Sequence, residues 1–288
     1  MAYPTESCRP TGSSEMWDAL QFDFMRNALA AGFLTSVICG VVGTLVVVNR
    51  IVFISGGIAH AAYGGIGLAF YVGFPATLGA TLFSLAISML MGLASFKSRE
   101  RADTIIGVMW AIGMALGIIL IELTPGYGVD LMSYLFGSIL SVPRVDIWCM
   151  CGLALLVIFV VAFFYREFIA MSYDEEFASV AGVPVRSLYF ALLGLISLSV
   201  VMIIRVVGLI LVIALLTIPP YIAEKYTNSL GKMMILASCL GVLFTLTGLW
   251  LSYYCNLTSG AMIIMVGGAG FFVSLGVDSI ATRTKAAG

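Results

Sequence analysis

The 288 residues are 61% hydrophobic and 10% charged, with 14 basic and 15 acidic side chains and a mean hydropathy of +1.10. Soluble domains carry roughly 25% charged residues, so this apolar surface has to face lipid, and the chain reads as an all-α polytopic membrane protein. At roughly 20 residues per crossing there is no space for a separate catalytic domain, and a net charge of −1 offers no basic field for nucleic acid.

The first 26 residues lack the basic leader of a cleaved signal peptide and are expected to remain as an extracytoplasmic segment. Hydropathy then predicts spans at Asn27–Asn49, Val52–Tyr71, Ala76–Phe96, Thr104–Glu122, Ile147–Tyr165, Leu188–Ile204, Val206–Ile222, Met233–Tyr254 and Ala261–Val277. Leu131–Ile139 is apolar but too short to cross, so it reads as a re-entrant or interfacial helix between Pro125-Gly126 and Pro143. The stretch from Leu188 to Ile222 would be about 50 Å long as one helix, too long for a single crossing. It has to turn near Arg205–Gly208 or break around a cavity. Pro219-Pro220 is expected to break the helix before Glu224 and Lys225, which read as a solvated cytoplasmic end.

Basic residues orient the chain. With Lys97, Arg99 and Arg101 inside, alternation also places Arg50, Arg166, Arg186, Lys225, Lys232, Arg283 and Lys285 inside. Only Arg9, Arg26, Arg144 and Arg205 remain outside, so the N-terminus is outside and the C-terminus inside. The transmembrane body covers residues 27–279, with a cytoplasmic tail at 280–288. Arg205 either anchors a turn or closes the outer mouth as a gate, and the anchor is the favoured reading. The cysteines, Cys8, Cys39, Cys149, Cys151, Cys239 and Cys255, have neither disulfide-framework nor zinc-knuckle spacing and read as ordinary helix residues.

The longest hydrophilic stretch within the body, Arg166–Arg186, carries its own helix signals. Ser172 stands three before Glu175, a capping-box spacing. Asp174, Glu175 and Glu176 complement the positive end of a helix, and Phe177 and Ala178 follow them. Gly182 caps the other end and Pro184 blocks continuation. A short rigid helix at about 174–182 on the cytoplasmic side suits docking of a partner.

His60, the one histidine of the chain, lies within the second span. Gly56, His60 and Gly64 share one helical stripe, and Gly57, Ala61 and Gly65 the next. Such small residues let another helix approach closely. His60 therefore faces protein, either as an ion-pathway residue or as a hydrogen bond between helices. There is no G-x-x-x-x-G-K-[ST] for nucleotide and no H-E-x-x-H for a metalloprotease. A stand-alone carrier or intramembrane enzyme would need buried acidic pairs or a His/Asp set, and His60 has no adjacent carboxylate.

Four stretches, in order and spacing, resemble the permease subunits of ABC importers for zinc, manganese and iron. They are Gly43–Arg50 with Val52–Ala61, Asp103–Trp110, Leu131–Leu140, and Asp174–Ala178 with Ala181–Arg186, Arg205–Gly208 and Ile218-Pro219. The resemblance covers about Phe24 to Val277. It implies a type II ABC importer-like fold of about eight or nine spans plus a short re-entrant helix, and a non-enzymatic subunit that moves zinc, manganese or iron without a cofactor of its own. Its partners would be a second copy of the chain, a cytoplasmic ATP-binding cassette ATPase and an extracytoplasmic metal-binding protein, in a prokaryotic inner membrane. The helix at 174–182 matches the family's coupling helix, and His60 its metal-pathway histidine. Many members carry Asp four residues before that histidine, where this chain has Gly56. A site built from His60 of two protomers, with Ser55 or Tyr63, would then be sparse. The alternative is a related permease for a chelated metal or organic solute such as a siderophore or cobalamin, which needs a wider, more polar cleft.

Overall fold

The computed structural model describes residues 23–97, 101–125, 137 and 139–286. Among them are nine helices long and apolar enough to cross a membrane, and no strand. In chain order the helices are α1 (Asp23–Val48), α2 (Val52–Val72), α3 (Ala76–Lys97), α4 (Ala102–Glu122), α5 (Arg144–Phe163), α6 (Tyr165–Tyr173), α7 (Glu175–Val180), α8 (Val185–Val207), α9 (Leu209–Tyr226), α10 (Leu230–Cys255) and α11 (Ser259–Ala286). The nine predicted spans are all present. The last helix continues to Ala286, through most of the expected tail.

Lipid offers no hydrophobic drive between helices, so small residues and interhelical hydrogen bonds decide the packing. On α1, Gly32, Ser36 and Gly40 stand four apart and meet Thr245, Gly241 and Ser238 of α10. Ser36 Oγ and Thr245 Oγ1 bond at 3.1 Å across that seam. A Cβ on Gly32 would stand 2.6 Å from Thr245 Cγ2. The inner helices follow from such seams: 78% of the apolar window of α2 is buried, against 22% for α4 and for α11, which turn broad apolar faces outward.

The α1–α2 corner is a Schellman turn. Ile51 N donates to Val46 O at 3.0 Å and Arg50 N to Val47 O at 3.0 Å, with Arg50 in the left-handed conformation at φ 58°. The long stretch from Leu188 onward turns sharply rather than breaking around a cavity. Its corner is Gly208, at φ 84° and ψ 164°, a conformation essentially confined to glycine.

Two expectations are corrected. Pro219-Pro220 does not end its helix: α9 continues to Tyr226 with both prolines inside. Proline at 220 leaves the Leu216 carbonyl without its helical donor, and Gly43 of α1 lets a neighbouring backbone lie against that carbonyl, where a Cβ would stand 2.5 Å away. Tertiary packing therefore supports the helix through the prolines. Lys225, beyond them, is not simply solvated, because Nζ donates to Asp278 Oδ2 at 2.6 Å and ties α9 to α11.

Most of the predicted re-entrant segment, residues 131–136 and 138, lies outside the described residues. Its end packs inward, with Gly137 at φ 63° against the Val207–Gly208 corner and Ile139 buried at the start of a 3-10 turn, Ile139–Ser141. Cys39 is buried, Cys151 half-buried, and Cys149, Cys239 and Cys255 exposed, all as free thiols. Cys8 lies outside the described residues.

Candidate transport site and coupling helix

Glycines place α2 against two neighbours at once. A Cβ on Gly65 would strike the Gly79 carbonyl of α3, and one on Gly67 the Gly117 carbonyl of α4. One on Gly64 would lie 2.7 Å from Phe83 Cε1 and 2.9 Å from the Gly113 carbonyl, and one on Gly57 2.9 Å from Ile106. Gly57, Gly64 and Gly65 are thus contact points, as their stripe predicts. Gly56 is different: although buried, a Cβ there would meet nothing within 4 Å.

That close approach brings His60 onto α4. The ring is half-buried. It stacks on Trp110 with centroids 4.1 Å apart and planes 19° apart. His60 Nδ1 lies 3.2 Å from Met114 Sδ. Trp110 and Met114 are four residues apart, on one face of α4, and Phe53 flanks Trp110 at 5.9 Å. In the sequence Trp110 only closes the Asp103–Trp110 stretch and Met114 stands outside it; the i, i+4 aromatic–thioether pair inside a span is the signal that marks them.

The other predicted pathway residues do not converge on His60. Ser55 is buried, and its hydroxyl donates to Val52 O in its own helix at 2.8 Å. Tyr63 is buried one turn further along α2. Among the described residues no group of three or more His, Cys, Asp or Glu side chains converges to hold an ion. An ion meeting this chain here would meet one imidazole.

The short helix expected at about 174–182 forms, with one correction to its cap. α7 spans Glu175–Val180, and its N-cap is Asp174, whose Oδ1 accepts Phe177 N at 2.9 Å. Ser172 is not the cap. It sits in the last turn of α6 and its hydroxyl accepts Asn49 Nδ2 at 3.1 Å. A carboxylate one residue from the helix start outcompetes a hydroxyl three residues away. Gly182 ends the element at φ 85°. Ala178 faces inward and is fully buried, whereas Phe177 is 70% and Val180 89% exposed. Glu175 is half-buried and Glu176 exposed. Beside α7, a cavity of about 280 Å³ opens between the ends of α1, α2, α4 and α8, with Arg50, Asp103 and Glu175 on its walls.

α6 connects α7 to the bundle. Phe168 is fully buried and Met171 nearly so, while Tyr165 Oη accepts Gly231 N at the start of α10 at 2.9 Å. At the opposite end of the bundle, Arg205 reaches Asp146 Oδ2 at 3.5 Å and donates to Thr77 Oγ1 at 3.2 Å. The anchor expected of Arg205 thus joins α8 to α5 and α3. Arg144 pairs nearby with Asp23 at 3.1 Å, both largely exposed.

The whole arrangement has relatives. The ABC 3 transport family matches residues 21–278. An uncharacterised membrane protein of Synechocystis is 52% identical over 260 residues, 90% of this chain and 92% of that one. The manganese transport system membrane protein MntC of Listeria innocua is 36% identical over 255 residues, covering 88% and 91%. Among solved structures, PsaBC from Streptococcus pneumoniae in complex with Fab superposes with a TM-score of 0.82 at 31% identity, covering 91% of this chain and 94% of that one. The family match spans nearly the whole chain, and the chain belongs to the ABC 3 transport family as a multi-pass membrane permease.

Proposed function

We propose that this chain is the transmembrane subunit of an importer that moves a divalent metal ion, manganese ahead of zinc or iron, into the cytoplasm, driven by a separate ATPase. The observation that carries the coupling is α7. It is a capped helix whose Phe177 and Val180 are exposed at the end of the bundle assigned to the cytoplasm by its basic residues. Exposed apolar side chains on a short, polar-flanked element suit a socket in a partner protein. The manganese preference is supported by the name of the Listeria relative.

Two copies of the chain would form the path, an extracytoplasmic metal-binding protein would deliver the ion, and residues 1–26 would lie outside. His60 is the pathway residue, with Ser55 and Tyr63 shaping α2 around it. A sparse site binds briefly, and a pathway has to release what it binds. The test is radioactive manganese uptake by proteoliposomes holding the permease and its ATPase, with zinc, ferrous iron and a ferric chelate as competitors. ATP-dependent manganese uptake lost in His60→Ala is the expected result. Uptake of the chelate with no uptake of any free ion would overturn the reading.

A further inference from the structure

His60 is held at one end of its ring. Nδ1 lies 3.2 Å from Met114 Sδ, the ring plane is fixed by the stack on Trp110, and Nε2 makes no hydrogen bond among the described residues. A thioether sulfur accepts and cannot donate, whereas neutral imidazole carries its single proton on one nitrogen or the other. As a hydrogen bond, the contact has Nδ1 as its donor. We infer that Met114 sets the tautomer of His60, so that Nε2 carries the lone pair and is the atom that takes the passing metal ion.

The inference rests on His60 being a pathway residue and assigns Met114 as its positioning residue. A histidine that ligates through one nitrogen is ordinarily oriented by the bond its other nitrogen makes. Carboxylates and carbonyls are the usual partners. A thioether holds the proton more weakly and adds no charge, so the ligand stays a neutral and modest base. That suits an ion that has to be released, and it leaves selectivity to whatever other atoms surround Nε2. Gly56, one turn away on the same stripe, adds no crowding, since a Cβ there would meet nothing within 4 Å.

The single histidine of the chain makes the test direct. The full-length protein, purified through a histidine-free tag and reconstituted in bilayers, is labelled with ¹³C,¹⁵N-histidine and read by solid-state NMR. Wild type is expected to show a protonated nitrogen bonded to Cγ and an unprotonated one bonded to Cδ2. Met114→Leu, which keeps the apolar volume, is expected to move the proton to Nε2, the form free imidazole favours, and Met114→Gln to restore the original pattern through its carbonyl oxygen. Metal uptake should fall about tenfold in the leucine variant and recover in the glutamine variant. A proton on Nε2 in wild type, or no change in Met114→Leu, overturns the role of Met114. Zinc that moves neither nitrogen resonance in wild type overturns the pathway reading itself, and with it the ligand role of Nε2.

Discussion

Asn49 Nδ2, at the end of α1, donates to Ser172 Oγ in the last turn of α6 at 3.1 Å, across 123 residues of sequence. The same amide donates to Leu45 O at 2.7 Å. One side chain therefore closes the end of α1 and holds the segment that leads into α7. Three residues beyond Asn49 the chain enters α2, the helix of His60. If α7 couples to an ATPase as proposed, this bond and the buried Phe168 are the contacts that would carry its movement towards α2. Asn49→Ala and Ser172→Ala are expected to leave ATP hydrolysis by the complex near its wild-type rate while lowering metal uptake several-fold. Each should also lower stability by about 0.5–1.5 kcal/mol. Hydrolysis and uptake measured on the same vesicles check this; uptake that stays proportional to hydrolysis removes the transmission role.

Docking of the ATPase is separable from transmission. Phe177 and Val180 contribute little to the fold of the chain because they are 70% and 89% exposed. Phe177→Ala is therefore expected to leave the melting temperature of the purified permease unchanged and to abolish co-purification of the ATPase. Asp174→Ala removes the N-cap bond to Phe177 N and should destabilise α7 by about 1 kcal/mol, giving an intermediate loss. Co-elution by size-exclusion chromatography reads both. If Phe177→Ala binds the ATPase as wild type does, α7 is not the contact.

The glycines of α2 divide into two classes that a substitution series should separate. A Cβ on Gly56 meets open space, while one on Gly67 strikes the Gly117 carbonyl. Gly56→Asp is expected to express and melt like wild type and to place a carboxylate four residues before His60, on the same face. A hard oxygen ligand beside the imidazole should raise manganese uptake relative to zinc several-fold. Gly67→Ala should instead destabilise by about 1–3 kcal/mol through overpacking and lower the yield of folded protein. Thermal melts in detergent and paired uptake assays distinguish the two. An unfolded Gly56→Asp protein would show that the space beside His60 is not available.

How much of this was legible in the sequence depended on how local the cause was. The nine spans came from hydropathy because lipid demands long apolar runs, and length alone required either a turn near Arg205–Gly208 or a break around a cavity. The docking helix was written in its own acids and glycine, although Ser172 was misassigned as its cap because its true partner, Asn49, is distant in sequence. Pro219-Pro220 was read by its local chemistry, and α1 packing through Gly43 overrode it. The partners of His60 were hidden for the same reason: Trp110 and Met114 stand on another helix, and only the Gly64–Gly113 and Gly67–Gly117 approaches reveal the register that brings them to the imidazole.

Arg205 ties three helices together. Its guanidinium spans Asp146 on α5 and Thr77 on α3, using two nitrogens of a planar fork. Lysine supplies one compact charge and cannot keep both contacts, so Arg205→Lys should lose much of what Arg205→Ala loses. The pair is partly solvated, with 41% of the Arg205 side chain exposed and 14% of Asp146, which holds the coupling energy between them to about 0.5–1 kcal/mol. A double-mutant cycle of Arg205→Ala and Asp146→Asn, read by reversible denaturation in detergent, measures that term directly. Additive effects would mean that the 3.5 Å contact contributes nothing and that Thr77 alone ties α8 to its neighbours. A coupling of the expected size, with uptake unchanged, identifies Arg205 as a structural tie at that end of the bundle rather than a gate.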